Sequence, residues 1–415
     1  MDTNGYKINN VMYKAINLIL ATVVLLYSCN VKTTSEKQND PNRITVAAYY
    51  FPNYHLRDKN DPRISYQHLE NWSEWELVKA AKPRFEGHSQ PKAPAWGYTD
   101  EKDPKVMAQK IEAATSHGID AFIFDWYHYD GKPFLNRCLD EGFLKASNTN
   151  SIKFSLMWAN HDWKDFFPYT HGEKIRYLYS GAVNSEEFDR IGDELIRNYF
   201  TKPNYWLIDG KAYFSIYHIH KFIEGFGSLE AAQKAMDNLN EKAIKAGLKG
   251  IHWNLVAWKK SILTDGEVHE YIPNLDFNST TSYVWVHHVK LPAVESDYNQ
   301  VRDLYFAHWD KVKGEYDMPY FPNVTMGWDP SPRTNQNKEW NSTWAYPYSN
   351  TISNNTPENF RKALQLTKEK LLDDPNGPRI LNINCWNEWT EGSYLEPDII
   401  NGMAYLEAVK EVFVK

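Results

Sequence analysis

Glu388, Glu391 and Glu396 crowd into one stretch, NCWNEWTEGSYLEPD (residues 384–398), beside Trp386, Trp389, Tyr394 and Asp398. Glu388 and Glu391 are three positions apart, which on a helical turn places both carboxylates on one side, with Cβ atoms roughly 5 to 6 Å apart. Crowded carboxylates beside tryptophans cannot both ionise cheaply. Desolvation and mutual repulsion should raise one pKa and leave the other low. One group can then donate a proton while the other accepts one or attacks. Cleaving a glycosidic bond needs that division: an acid for the departing oxygen, and a base or nucleophile near the anomeric carbon. On an ordinary surface helix the same spacing is only a solvated pair, so the elements that hold it decide its meaning.

Those elements are legible as alternating patterns. Short β-branched or aromatic apolar runs fall at residues 44–50, 121–124, 153–158, 212–217, 251–257, 280–286, 321–326 and 380–384, and the last leads directly into the glutamates. Between them, segments 103–117, 184–199, 228–246 and 356–372 read as helices. Asp103-Pro104 and Thr356-Pro357 mark two starts, and Gly118 and Gly247 mark two ends. Eight strands alternating with helices predict the α/β class and a (β/α)8 TIM barrel, a fold that accommodates the 415 residues as a single domain. The stretch 56–99, rich in Pro and Trp and without periodicity, reads as an extended loop after the first strand, a lid or subsite wall.

In such a barrel the residues that follow each strand line one mouth, where active sites lie. The first strand delivers Tyr50, Asn53, Tyr54 and His55, and the second Asp125, Trp126, Tyr127 and His128. The third delivers Asn160, His161, Asp162 and Trp163, the fourth Tyr217, the sixth His287 and His288, and the seventh Trp328, Asp329 and Arg333. Glu388 and Glu391 are the catalytic candidates. The candidate substrate-binding residues are Tyr50, Tyr54, Asp125, Trp126, Asn160, Asp162, Tyr217, Trp328, Asp329, Trp389 and Glu396, with Glu396 equally able to hold its own loop. His287 and His288 are adjacent on a predicted strand and point to opposite faces, so no metal is expected there, and no cofactor is expected elsewhere.

With 16 Trp, 27 Tyr and 19 Phe, aromatic residues reach 15% of the chain, and many neighbour Asp, Glu, Asn or His. That mixture suits carbohydrate, whose rings offer apolar C–H faces and polar edges. A core rich in Trp and Tyr would produce the same composition. The net charge of −7 without a dense basic tract argues against nucleic acid as a partner. Cys138 and Cys385 form neither a disulfide framework nor a zinc cluster and read as small buried hydrophobes.

At the N-terminus, Lys7 and Lys14 precede an apolar stretch (15–27) that ends in Leu26-Tyr27-Ser28-Cys29, followed by a polar run, 30–42. The stretch is short for a membrane span and reads as a signal peptide. A Cys after a small residue at its end resembles a bacterial lipobox. The expected organisation is a lipoprotein signal peptide (1–29) with lipidation at Cys29, a polar tether (30–42) and one catalytic domain (43–415). An ordinary signal peptide or uncleaved anchor is the alternative. The expected location is the bacterial cell envelope, lipid-anchored at the outer membrane, as a monomer.

Several segments carry a resemblance: AAYYFPNYH (47–55), WSEWELVKAAKPRFEGHSQPKAP (72–94), HGIDAFIFDWYHYDGKPFL (117–135), MWANHDW (157–163), IDGKAYFSIY (208–217), MGWDPSPR (326–333) and WNEWTEGSYLEPD (386–398). In this order they resemble the glycoside hydrolase family 99-like proteins, including the WbsX-like group, which is named for glycosyl transfer. The resemblance covers nearly all of the chain after the tether. It implies a (β/α)8 barrel and, for the endo-α-mannosidase and endo-α-mannanase members, retaining cleavage of α-mannosidic bonds without metal. By position it implies Glu391 as general acid/base. Glu388 would draw the proton from the sugar 2-hydroxyl, whose oxygen then forms a 1,2-anhydro sugar, or would act as a direct nucleophile on a different sugar. Glu74 and His88 match the family's segments and are expected near the cleft. Thr390 departs from the His usual in the hydrolases, and the other segments are closer to the WbsX-like group. Three functions follow: a glycoside hydrolase, a glycosyltransferase of polysaccharide synthesis, or a non-catalytic glycan-binding lipoprotein.

Overall fold

The runs rich in β-branched and aromatic residues pair side by side into one parallel sheet. In the computed structural model, which describes residues 40, 42–57, 61, 72–165, 167–257, 275–313 and 317–414, the barrel strands are β1 (Thr45–Tyr50), β2 (Ala121–Tyr129), β3 (Lys153–Trp158), β4 (Lys211–Ile216), β5 (Ile251–Val256), β6 (Ser279–Thr281), β7 in two pieces (Tyr320–Phe321 and Asn323–Thr325) and β8 (Ile380–Asn384). The proposed signal peptide with Cys29, most of the tether and part of the loop 56–99 lie outside the described residues.

Neighbouring strands are consecutive from β1 to β6, and β1 also pairs with β8, Thr45 opposite Ile380. The first piece of β7 pairs with β6 and the second with β8, so the sheet is nearly closed as a (β/α)8 barrel. Pro322 separates the two pieces: proline has no N–H to give to a ladder, and it divides the strand between its two neighbours. The sixth run is strand only as far as Thr281. Beyond it Trp285 donates its backbone N–H to Thr325 Oγ1 (2.9 Å) and its indole N–H to the Asn323 carbonyl (2.8 Å), which draws the chain off the β6 ladder into a 3-10 turn.

Helices α1 (Trp75–Ala80), α2 (Pro104–Ser116), α3 (Ser185–Leu195), α4 (Ile219–Phe226), α5 (Leu229–Lys245), α6 (Tyr298–Val312), α7 (Pro357–Leu372) and α8 (Ala404–Phe413) complete the described layer. The four helices read from sequence begin on side-chain caps: Asp103, Asn184, Ser228 and Thr356 each accept a backbone N–H of the first turn. The barrel interior is partly polar, and several of its groups bond one another. Ser215 donates to Asn254 (2.8 Å), Asn254 to Ser279 (2.8 Å), and Asn382 to Thr281 (2.7 Å), as buried polar groups require.

Candidate active site

At the C-terminal ends of the strands lies a cavity of about 770 Å³, within the range of ligand pockets. β8 delivers the two glutamates to it through a tight local structure. Trp386 N–H bonds the Tyr49 carbonyl (2.7 Å), and the Asn387 side chain brackets the Phe51 backbone at both polar atoms (2.8 Å each). Asn387–Glu388 then pairs with Ser393–Tyr394 around a 3-10 turn, Trp389–Glu391. Residues three apart eclipse on such a turn, so Glu388 and Glu391 leave it on the same side. The turn reverses at Gly392, where φ is +65° and a Cβ would meet Asp329 Cβ at 2.9 Å and its backbone N at 3.2 Å.

Arg333, after β7, organises the carboxylates. Its guanidinium donates to Glu391 Oε1 through Nη1 and to Glu388 Oε1 through Nη2 (2.9 Å), with Glu74 Oε1 at 3.6 Å from Nε. The Phe51 and Phe167 rings flank it, 5.5 and 5.0 Å from the guanidinium carbon. Tyr346 donates its hydroxyl to Glu391 Oε1 (2.7 Å). Thr390 Oγ1 is 3.0 Å from Arg333 Nε, 3.0 Å from Glu388 Oε1 and 3.1 Å from Glu74 Oε1.

This last geometry counts protons. Arg333 donates to Thr390, and the Thr390 hydroxyl has a single hydrogen, which can reach only one carboxylate. The other contact is a hydrogen bond only if that carboxyl itself is protonated. The electrostatics agree: burial raises Glu388 well above the usual carboxylate range, opposed by Arg333 and reinforced by Glu391, Glu74 and Asp125. Glu74 is raised too, first by burial. Buried Asp125 is raised well above its usual range by desolvation, although the Tyr283 hydroxyl bonds its Oδ2 at 3.0 Å. With one guanidinium among these acids, burial favours the protonated form of Glu388.

Among the catalytic and substrate-binding candidates, Asp125, Asp162, Tyr217, Trp328, Glu388 and Glu391 line the cavity. The others do not, and strand geometry explains most of this. β2 continues to Tyr129, so its side chains alternate: Asp125 and Tyr127 face the cavity, while Trp126 and His128 point outward. Trp126 packs on Trp158 and Tyr199, and His128 approaches Glu187 and Glu194 on α3 (3.6 and 3.9 Å). Likewise Tyr49 meets Tyr283 inside, whereas Tyr50 donates outward to Glu101 (2.8 Å). Tyr54 packs on Trp75 (4.3 Å) and accepts the Thr390 N–H (3.1 Å), which fixes the turn rather than the ligand. Asn160 bonds the His218 backbone at both polar groups (2.8 and 2.9 Å), joining the β3 and β4 mouths. Asp329 takes His88 (2.8 Å) and Gln90 (2.6 Å), anchoring the long loop. Trp389 and Trp386 both donate to Glu396 (2.8 and 3.0 Å), which is also ion-paired with buried Lys110 (2.5 Å). Glu396 therefore holds the loop. Of the two loop residues expected near the cleft, Glu74 lines the cavity, whereas His88 does not and bonds Asp329 instead.

Sequence reading assigned no role to Arg333 and missed Tyr346. Tyr346 lies in a stretch without periodicity, and its residue is 41% exposed. His287 lines the cavity, and burial lowers it to about 3, so it is neutral at ordinary pH. No group of three or more His, Cys, Asp or Glu side chains among the described residues is arranged to hold a metal ion.

A family model described as Glycosyltransferase WbsX matches residues 46–409. The chain belongs to the WbsX family. Uncharacterized protein WxcX of Xanthomonas campestris pv. campestris (strain B100) is 26% identical over 378 residues, 89% of this chain. This WbsX-family chain spans about half the length of the curated relatives it matches, 50% of WxcX. Among solved structures it is similar to the GH99 endo-alpha-mannosidase from Bacteroides thetaiotaomicron in complex with bis-tris-propane, with a TM-score of 0.52 and 13% identity over 90% of this chain and 96% of that one. A glycoside hydrolase-like protein gives a TM-score of 0.54 and 13% identity over 89% and 94%. At these identities the likeness shows the fold, the barrel that the strand order already displays.

Proposed function

We propose that this WbsX-family barrel is a glycoside hydrolase that cleaves a poly- or oligosaccharide with retention, using Glu388 and Glu391. The observation that carries the reading is the pair itself: both carboxyls open onto one cavity and share one guanidinium. Glu391 is the general acid/base, and Glu388 takes the proton of the sugar 2-hydroxyl or attacks the anomeric carbon directly. In the forward step Glu391 must carry a proton and Glu388 must not, although burial favours the protonated form of Glu388. Sugar supplies the difference. A glycosidic oxygen beside Glu391 gains from a donor there, and a hydroxyl beside Glu388 gains from an acceptor, so both contacts favour that arrangement. A base held above its usual range is also the stronger base once ionised.

Aromatic walls from Trp163, Trp328, Trp344 and Tyr217, interleaved with Asp125 and Asp162, suit sugar rings. The relation to an endo-alpha-mannosidase of the same fold makes α-mannosides the first substrates to test. The family's description favours glycosyl transfer as the second reading. Export, read from residues 7–29, would separate the protein from cytosolic nucleotide sugars and belongs to the same proposal; a wholly cytosolic protein on cell fractionation would favour the transferase. Proton NMR of the first product tests the mechanism: retained anomeric configuration is expected, and an inverted product would require a water between more distant carboxylates.

The shift on Glu388 gives a pH dependence. Below its raised pKa Glu388 is neutral and cannot accept a proton, so kcat/KM should rise with pH through that value. Glu74→Gln removes a repelling charge and lowers the Glu388 pKa, which moves the acid limb to lower pH. An unmoved limb in that variant would separate Glu74 from the titration.

A further inference from the structure

The cavity wall carries a second guanidinium that the acid pair does not use. Arg57 follows β1 and lines the same cavity as Glu74 and Trp163. Its guanidinium carbon lies 5.0 Å from the Trp72 ring centroid and 5.7 Å from that of Phe134, which in turn packs edge-on against Trp163 at 5.1 Å. These rings hold the cation by its faces. They offer nothing to its N–H groups. Arg57 Nε is buried without a hydrogen-bond partner, and no carboxylate of the described residues is ion-paired with the side chain. Glu74, Asp61 and Asp165 act on it only through space, and burial pushes it down to about 10. Two of these acids are committed elsewhere: Glu74 to Asn53 (2.8 Å) and Thr390, and Asp165 to Arg176 (2.9 Å).

The other cavity charges show what is unusual here. Arg333 is matched by Glu388 and Glu391, and Lys221 by Asp162 (3.2 Å) and Glu224 (2.9 Å). A largely desolvated guanidinium without an anion is costly, and the hydroxyls of a neutral sugar cannot return a full counter-charge. A planar guanidinium fork whose N–H groups have no carboxylate among the described residues matches the paired oxygens of a carboxylate, sulfate or phosphate. Lys164 and Lys290 line the same cavity and also lack a carboxylate partner among the described residues.

The geometry points to Arg57 as the anchor of a subsite for an anionic group on the glycan: a uronic-acid carboxylate, a sulfate ester or a phosphate ester, with Trp72 and Phe134 flanking the contact. The inference rests on the reading of the cavity as a carbohydrate site and adds the class of sugar it takes.

The test is titration calorimetry on the full chain with uronic-acid-bearing, sulfated and phosphorylated oligosaccharides. Each is measured beside its neutral counterpart, made by carboxyl reduction, desulfation or phosphatase treatment. At least one acidic member should bind roughly 10- to 100-fold tighter than its counterpart, the scale of a charged hydrogen-bonded contact. The type of acidic member identifies the source of the charge. Arg57→Met and Arg57→Gln should each erase the preference while neutral counterparts bind as before, and Arg57→Lys should keep part of it. Thermal melting checks that each variant is folded. No preference for any acidic member, or a preference that survives in both the Met and Gln variants, would overturn the inference. Binding needs no turnover, so a failure of the hydrolase mechanism leaves this result readable. Continued cleavage of glycans bound without regard to charge would remove only the Arg57 subsite.

Discussion

Glu391→Gln and Glu388→Gln are each expected to lower turnover of a natural glycan roughly 100- to 10,000-fold, the range of positioned proton transfer, while oligosaccharide binding persists. Glutamine preserves the shape of each side chain and its ability to accept from Arg333, Tyr346 or Thr390. What it removes is the titrating proton. The two variants should part on aryl glycosides whose phenol is acidic enough to leave without a proton. Glu391→Gln should recover activity there, because acid assistance is no longer needed. Glu388→Gln should not, because the base or nucleophile is still absent. Initial rates on both substrate types read this directly, and equal losses on the aryl glycoside would contradict the division of roles.

Arg333→Met is expected to cost about 3 to 5 kcal/mol of stability, because removing one partner leaves buried charge uncompensated. The side chain is almost fully buried and is the cation that Glu74, Glu388 and Glu391 have in common. The loss should depend on pH with a definite sign. Without the guanidinium, carboxyls already raised by burial rise further above their unfolded values. Such groups favour the fold below the unfolded pKa, and that contribution is lost as pH rises through the folded pKa. Denaturant titration should therefore find the variant closest to wild type in mild acid and furthest from it at neutral to basic pH. A penalty independent of pH would show that packing between Phe51 and Phe167, not charge, is what Arg333 contributes. Turnover should fall at least roughly 100-fold, since the paired carboxylates lose their common counter-charge.

Much of this was legible in the sequence because it rests on local chemistry. The eight apolar runs mark the barrel strands, and Asp103, Asn184, Ser228 and Thr356 announce their helices as caps. The Glu388–Glu391 spacing placed the pair on one side in advance, although the supporting turn is 3-10 rather than α-helical. Failures came where tertiary pairing overrides local pattern. Reading β2 as ending at Phe124 made residues 125–128 a loop, whereas pairing extends the strand to Tyr129 and alternation sends Trp126 away from the cavity. Glu396 looked like a ligand group until buried Lys110 and two indoles claimed both of its oxygens. Neither Tyr346 nor Arg57, which no carboxylate among the described residues pairs, could be found from spacing, because their meaning depends on which charges other segments bring within reach.

The measurement that most directly tests the central claim is mass spectrometry of products released from a panel of polysaccharides, α-mannans included, by the wild-type protein beside its Glu391→Gln variant. Oligosaccharides are expected from at least one member with the wild type, and at least roughly 100-fold less with the variant. Equal release by both would contradict that claim, as would the absence of release from every member that the wild-type protein binds.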